Sequence, residues 1–163
     1  MYVNLETERL RLRPIDLTDA PFMLDLVNSQ GWLEFIGDRK VANENDASRY
    51  IQKMLDSPEY YYNLFEDKHT RQPLGIVTFL MRANQQFPDL GFAILPEYGK
   101  NGYTLEASRA YLHHILTSGA YPNIIAITIP QNQSSISLLR KLGFSYRHPF
   151  QDGQHTLSLF SLK

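Results

Sequence analysis

One short segment of the chain concentrates residue types that can bind an anion. It joins an apolar, strand-like stretch ending at Leu95 to a helix-forming stretch. The junction contains glycines, a cation, an amide and a hydroxyl, at Gly99, Lys100, Asn101, Gly102, Tyr103 and Thr104. A helix that starts just after a strand presents free N–H groups and its positive dipole end, and glycine allows close backbone approach. The segment therefore suits a phosphate or diphosphate, and an ordinary turn is the alternative.

A second polar pair follows the next apolar stretch. Asn132 and Ser135 lie three residues apart where another helix-forming stretch begins, so they share one helix face. A helix is predicted from about Tyr103 to Ser118, with Gly119 as the C-cap candidate. This helix would cross over between strands 89–95 and 123–129, which makes these strands parallel. Both polar segments then lie at the carboxyl edge of the sheet, where open α/β sheets bind ligands. The alternative is that Asn132 only caps its helix.

The hydrophobic pattern supplies the elements that would position these residues. Residues 9–14 alternate as a half-buried strand with Leu10 and Leu12 on one face. Two amphipathic helices follow, and a loop carrying the only tryptophan lies between them. Three strands between residues 60 and 95 form an antiparallel meander. The predicted order is β-α-α-β-β-β-α-β-α-β-β. No repeat or linker interrupts it, so residues 1–163 are predicted to form one domain.

Composition narrows the classes of function. A net charge of −1 argues against nucleic acid or an anionic membrane as the main partner. The absence of cysteine excludes disulfides, thiolate metal sites and a cysteine nucleophile, and fits a cytoplasmic protein. Residues 1–14 are too charged for a signal peptide, and the apolar run at residues 74–81 is far shorter than the ~20 residues of a membrane helix.

Three sequence blocks together resemble a known family. They are "LGFAILPEYGKNGYTLEA", "NQSSISLLRKLGF" and, near the N-terminus, "LETERLRLRPIDLTDAP". Taken together, and in the order in which they occur along the chain, they resemble the GNAT acetyltransferases, specifically the RimJ/RimL-like branch of ribosomal-protein N-acetyltransferases. The resemblance covers essentially the whole chain. It implies an α/β fold with a largely antiparallel sheet of six to seven strands, a central splayed parallel pair and flanking helices.

The resemblance also implies a cofactor and a reaction. Acetyl-CoA would bind as co-substrate, with no metal. Its pantetheine arm would pair with the backbone of Phe92, Ala93 and Ile94, and its diphosphate would lie on residues 99–104. A primary amine of a protein N-terminus or a small molecule would attack directly in a ternary complex. Ser135 would face the leaving sulfur, with Asn132 beside it, and a homodimer is a family-level expectation.

Two positions depart from the family pattern. Aligned through Gly102, the pattern has Gln or Arg where this chain has Gly99, and Gly or Ala where it has Thr104. Lys100 and the Thr104 hydroxyl are possible replacements for the missing phosphate contacts. The departures motivate an alternative, a non-catalytic CoA-sensing or partner-binding module on the same fold. A Rossmann-like nucleotide binder fits less well, because the antiparallel meander does not suit it.

The base and the acceptor site are the least determined parts of the sequence. Asp89, at the start of the strand bearing the acetyl group, is the candidate base; a turn or surface carboxylate is its alternative, and Glu34 is a weaker candidate. Trp32 and Phe35 are predicted to line the substrate wall, with core packing as the alternative for Trp32. The adjacent His113 and His114 point to different helix faces and do not form a metal pair.

Overall fold

An eight-stranded sheet carries helices on both faces in the computed structural model, which describes residues 1–163. The strand order is β1-β2-β3-β4-β5-β6-β8-β7, and only β5 and β6 are parallel. The strands are β1 (Leu5–Glu6), β2 (Leu10–Pro14), β3 (Tyr60–Asp67), β4 (Pro73–Leu80), β5 (Asp89–Ile94), β6 (Ile125–Thr128), β7 (Ser145–Asp152) and β8 (His155–Ser161). The helices are α1 (Ala20–Val27), α2 (Gln30–Phe35), α3 (Glu44–Leu55), α4 (Tyr103–Ser118) and α5 (Gln133–Lys141).

The structure confirms the predicted fold class and corrects two details. The sheet has eight strands because the two-residue strand β1 pairs with β2, a contact too short to produce a hydrophobic pattern. The segment around Trp32, predicted as a loop, contains the helix α2. Its N-cap residue Ser29 is of a type common at helix starts, but the helix spans only six residues, which is too short for a clear periodic pattern.

One core lies between the sheet and the helices α4 and α5. Leu10 and Leu12, predicted to share a face, are both fully buried there. Tyr111 of α4 is also fully buried, and its ring packs edge-on against Phe79 with centroids 5.8 Å apart. Gly119 ends α4 with φ +65°, as the sequence predicted, because glycine adopts this left-handed conformation without a Cβ clash.

A second core lies under α1, α2 and α3 on the opposite face of the sheet. Met23 and Ile51 of the helices are fully buried against Ile76 of β4. The side chain of Ala93 in β5 packs on this core, whereas Phe92 and Ile94 pack on the other. Successive residues of β5 therefore face opposite cores, and the face that carries Ala93 is turned toward α1–α3. None of the helices combines the length and apolar character needed to cross a membrane.

Candidate functional site

The parallel strands β5 and β6 are joined only near their start. Their register contains a single pair, Asp89 opposite Ile125, and the Ile125 N–H donates to the Pro88 carbonyl over 2.9 Å. From there β6 pairs along its length with β8, on its other side. The two strands therefore bound a wedge that is open toward their carboxyl ends, where α4 and α5 begin.

The backbone of β5 offers free hydrogen-bonding groups to this wedge. The Leu95 N–H donates to the Leu74 carbonyl on the β4 side, over 2.9 Å. Because bonding alternates along an antiparallel strand, Ala93 directs its N–H and C=O toward Ile76 of β4. Phe92 and Ile94 direct theirs into the wedge. Of the three residues predicted to pair with a ligand backbone, these two have the groups available.

Asp89 lies at the apex of the wedge. Its side chain is buried, with 3% of the residue exposed, so the alternative of a surface carboxylate does not hold. Oδ1 accepts from the Ile127 N–H over 3.1 Å, and Oδ2 accepts from Arg82 Nε over 2.6 Å. Burial raises the pKa of Asp89 to about 6, although Arg82 and the Ile127 N–H favour the charged form. The carboxylate therefore titrates near the range useful for a base, but both oxygens already have partners.

The raised pKa of Asp89 predicts a pH-dependent stability difference. The folded chain holds this proton up to about pH 6, whereas the ordinary pKa is 3.8, so folding is favoured by protonation between these values. Relative to Asp89→Asn, the wild type should lose stability as pH rises from about 4 to about 6, and the difference should be constant above about 7. Urea unfolding of both proteins across this range measures it. A wild type that gains stability relative to Asp89→Asn as the pH rises would contradict the assignment.

The loop before α4 has a backbone shaped for close approach. Lys100 and Gly102 have positive φ values of 64° and 79°. The Asn101 amide donates to the carbonyls of Tyr98 and Gly99, at 3.2 and 3.0 Å, so this side chain holds the loop's shape. Gly102 is the N-cap of α4 and has no side chain to occupy the helix end. The first helical N–H bond is made at residue 106, which leaves the N–H groups of residues 103–105 free for an anion.

Arg9 braces this loop from the other end of the chain. Its Nε donates to Glu106 Oε2 over 2.7 Å and its Nη1 to the Asn101 carbonyl over 2.9 Å. The guanidinium also lies 4.4 Å from the centroid of the Tyr103 ring. Thr7 donates to Glu106 as well, over 2.5 Å. Although burial opposes ionisation, these bonds hold the pKa of Glu106 below its ordinary value.

Sequence reasoning had placed Arg9 only in a strand pattern. Its partner Glu106 lies 97 residues away, so no local spacing connects the two. The one available signal was an acidic residue in the first turn of α4, behind the anion-binding segment. A carboxylate there lies close to the proposed diphosphate position and needs a cation to balance its charge.

At the start of α5, Asn132 acts as a helix cap. Its Oδ1 accepts from the Ser135 N–H and from the Ser134 hydroxyl, both over 3.1 Å. The capping interpretation of Asn132 is therefore what the structure shows. Ser135 is half-buried, and its hydroxyl makes no hydrogen bond within the chain. The hydroxyl remains available to a ligand at the carboxyl end of β6.

The two residues predicted to form the substrate wall differ in accessibility. Trp32 is 4% exposed and belongs to the core under α1–α3, and its Nε1 has no partner. Phe35, at the end of α2, is half-buried and retains an accessible surface. The packing favours the core interpretation of Trp32, and Phe35 is the better placed of the two to contact an acceptor.

A cavity of about 340 Å³ lies on the same side of the sheet as α1–α3. Its lining is mainly charged and carries more cations than anions, with Arg39, Lys40, Val41, Asp46, Arg49, Tyr50 and Lys53. The Tyr50 hydroxyl lies 3.2 Å from the Tyr62 hydroxyl. Tyr62 pairs with Thr78 across β3 and β4, and Thr78 pairs with Gly91 of β5. A row of hydroxyl side chains thus runs from the cavity to the wedge strand.

The comparison with protein families identifies the chain. A family model described as "Acetyltransferase (GNAT) domain" matches residues 9–145. The chain belongs to the GNAT acetyltransferase family. This finding confirms the resemblance carried by the three sequence blocks, and it makes the chain an acyltransferase by family.

Relatives of this GNAT chain are distant in sequence and close in fold. YnaD of Bacillus subtilis (strain 168), an uncharacterized N-acetyltransferase, is 23% identical over 142 residues, covering 86% of this chain and 82% of the relative. The ribosomal-protein-S5-alanine acetyltransferase of Vibrio fischeri superimposes with a TM-score of 0.81 at 18% identity, covering 98% of this chain and 95% of the other.

RimL, a ribosomal L7/L12 alpha-N-protein acetyltransferase solved in complex with coenzyme A, has a TM-score of 0.82 at 14% identity. The match covers 95% of this GNAT chain and 94% of RimL. At such identities the structural likeness establishes the shared fold. This fold is the one that the resemblance of the three sequence blocks implied.

Proposed function

We propose that this GNAT protein transfers an acetyl group from acetyl-CoA to a primary amine, by direct attack in a ternary complex. The observation that carries the proposal is the open edge of β5, where the backbone groups of Phe92 and Ile94 face a wedge with no strand to fill it. An extended amide-containing arm satisfies such an edge as an added strand does. The free N–H groups at the start of α4 lie at the end of the same wedge.

The residues present fit acetyl-CoA part by part. Phe92 and Ile94 would bond the pantetheine arm. The N–H groups of residues 103–105 would bind the diphosphate, with the exposed Lys100 supplying a positive charge nearby. When bound, acetyl-CoA supplies the activated thioester. The half-buried Ser135 hydroxyl would donate to the sulfur that leaves, and a backbone N–H near Ile94 would stabilise the charge on the thioester oxygen.

The incoming amine must lose its proton before it attacks. An α-amine has a pKa near ~8 and a lysine amine near ~10.4, so a base increases the reactive fraction. Asp89 stays our proposal for that base, acting through water, because it titrates near pH 6 and lies on the wedge. Its bonds to Arg82 and Ile127 also suit a structural role, which the variants described in the next subsection separate from base catalysis.

For the acceptor we propose a peptide or protein N-terminus. The support is the nature of the two structural relatives named above, which act on ribosomal proteins according to their names. Phe35 and the cationic cavity lie on the α1–α3 side, the side toward which Ala93 of β5 faces. A small-molecule amine is the other class to test. A homodimer and a cytoplasmic location stay predictions.

The direct test combines ligand binding with turnover. Isothermal titration should detect CoA binding, and thermal stability should rise with CoA concentration as mass action requires. Thiol release from acetyl-CoA should then appear with at least one member of a panel of N-terminal peptides, polyamines and small amines. Absence of CoA binding would reject the proposal.

The alternative of a non-catalytic CoA-binding module has one observation in its favour. Gly99 offers no side chain to the phosphates, and Thr104 places a branched side chain in the first turn of α4. This alternative predicts CoA binding without thiol release on any acceptor. Turnover that is lost in Ser135→Ala, with CoA binding retained, would exclude it.

The loop brace predicts a selective loss of cofactor affinity in Arg9→Met. The substitution removes the bonds to Glu106 and the Asn101 carbonyl, so the loop is no longer held for the diphosphate. We expect CoA to bind about tenfold more weakly, which corresponds to ~1.4 kcal/mol, the scale of a single charge-assisted hydrogen bond.

Two further variants control this experiment. Arg9→Lys keeps the charge but cannot bond both partners in one fork, so it should restore only part of the affinity. Arg109→Met removes an exposed arginine from α4 itself and should bind CoA like the wild type. Equal affinities for the Arg9 and Arg109 variants would show that the brace does not serve the cofactor.

A further inference from the structure

The parallel ladder between β5 and β6 stops because a side chain takes the place of the backbone. Ile125 donates to the Pro88 carbonyl, one residue before its register partner Asp89. In a continued parallel ladder the next donor, the Ile127 N–H, would bond the Leu90 carbonyl. It bonds Asp89 Oδ1 instead, over 3.1 Å.

The carboxylate is held firmly in this position. Arg82 Nε, from the segment after β4, binds its other oxygen at 2.6 Å, and the residue is 3% exposed. The backbone of Asp89 is also anchored, because it pairs with Leu80 of β4. The backbone of Asp89 is therefore fixed to β4, and its side chain is fixed in an orientation toward β6.

This substitution of acceptors has a geometric and an energetic consequence. Because Asp89 Oδ1 accepts the Ile127 N–H, this donor is not available to the Leu90 carbonyl, and the backbone ladder does not continue through it. A hydrogen bond to an ionised acceptor is also about twice as strong as a neutral one. Closure of β6 onto Leu90 would exchange the stronger bond for the weaker one and leave a buried carboxylate short of a partner.

We propose that Asp89 is a positioning residue that keeps β6 apart from β5 by accepting the Ile127 N–H, so that the Phe92–Ile94 edge stays open for the cofactor arm. The inference rests on the proposed function, since it explains how the cofactor site is kept accessible. It differs from base catalysis because the role is exerted on Ile127 and needs no proton transfer.

The experiment compares Asp89→Asn with Asp89→Ala, using CoA as the probe and its Kd as the readout. Asparagine retains an acceptor of the same reach, so CoA should bind within about threefold of the wild type. Alanine removes the acceptor, so CoA should bind at least about tenfold more weakly. In the ligand-free proteins, hydrogen exchange by NMR should show that the Ile127 amide stays protected in the asparagine variant, which keeps an acceptor, and loses protection in the alanine variant, which has none. Wild-type CoA affinity in Asp89→Ala would overturn the inference.

Further variants separate this role from general destabilisation and from base catalysis. Met54→Ala removes a buried side chain from α3, away from the wedge, and should lower stability while leaving the Kd for CoA unchanged. If Asp89→Ala does not fold, Asp89→Ser provides a shorter side chain that cannot reach Ile127, and the same loss of affinity is expected.

A base role alone would give a different pattern, in which both Asp89 variants lose kcat while their CoA affinity stays at the wild-type value. That pattern overturns the positioning role and leaves the proposed function intact. Failure of the wild type to bind CoA would instead reject the proposed function itself.

Discussion

Ser135→Ala is expected to lower kcat about 100-fold, within the range that a positioned proton donor contributes. The departing thiolate needs a proton or a hydrogen bond, and the Ser135 hydroxyl is half-buried at the start of α5 without a partner in the chain. The backbone N–H of residue 135 still bonds Asn132 Oδ1 after the substitution, so the helix cap is preserved. The loss should therefore appear in kcat, with the CoA Kd within about twofold of the wild type.

A control at a neighbouring serine and a conservative substitution at residue 135 make this prediction specific. Ser137→Ala removes an exposed hydroxyl from the same helix and should leave kcat unchanged. Ser135→Thr keeps a hydroxyl and should recover part of the activity. Steady-state thiol release and titration calorimetry measure kcat and Kd separately. An Ser135→Ala enzyme with wild-type kcat would show that the sulfur obtains its proton from another source.

Arg13→Met is expected to destabilise the fold by about 3 kcal/mol, the scale for breaking a buried ion pair by removing one partner. Arg13 bonds Asp19 through both terminal nitrogens, at 2.8 and 2.7 Å, and Glu66 at 3.0 Å. Both carboxylates are 4% exposed at the side chain. Glu66 retains Arg71 at 3.1 Å, so Asp19 bears most of the loss. The cluster ties β2 and β3 to the segment that leads into α1.

Two variants test whether the unpaired carboxylate is the cause. Arg11→Met removes an arginine that approaches Glu66 only to 3.6 Å, and should cost less than about 1 kcal/mol. Adding Asp19→Asn to Arg13→Met removes the unpaired charge and should recover most of the stability. Urea unfolding gives each free energy. An Arg13→Met protein as stable as Arg11→Met would exclude this account.

Several elements followed from local pattern alone. The helix predicted from about residue 103 to residue 118 has these bounds in the structure. Glycines flank it at both ends, and in the structure Gly102 and Gly119 have positive φ values. Leu10 and Leu12 were placed on one face by strict alternation, and both are fully buried. The meander β3–β4–β5 followed from three apolar runs separated by turn residues. In each case the cause lies within a few residues of the effect.

The site was predictable in outline and not in its supporting contacts. Glycines, a lysine and a hydroxyl at a strand-to-helix junction indicated an anion site, and the structure shows free N–H groups there. The roles of Arg9, Arg82 and Ile127 depend on bonds to residues 97, seven and 38 positions away. Hydrophobic periodicity carries no information about such pairs of residues, and no local sequence signal connects the two partners.

The chain's own pattern thus predicted the strands other than β1, the crossover helix and the polar segments at one sheet edge, and three blocks of the sequence indicated the GNAT family. The folded arrangement alone showed that Ala93 turns its backbone toward β4, that Asn132 caps α5, that Trp32 is core, and that Asp89 is buried at the wedge apex. The physical reason is the distance along the chain over which each effect acts. Backbone propensity and side-chain periodicity act over a few residues. Burial and hydrogen-bond partners depend on which distant segments the fold brings together.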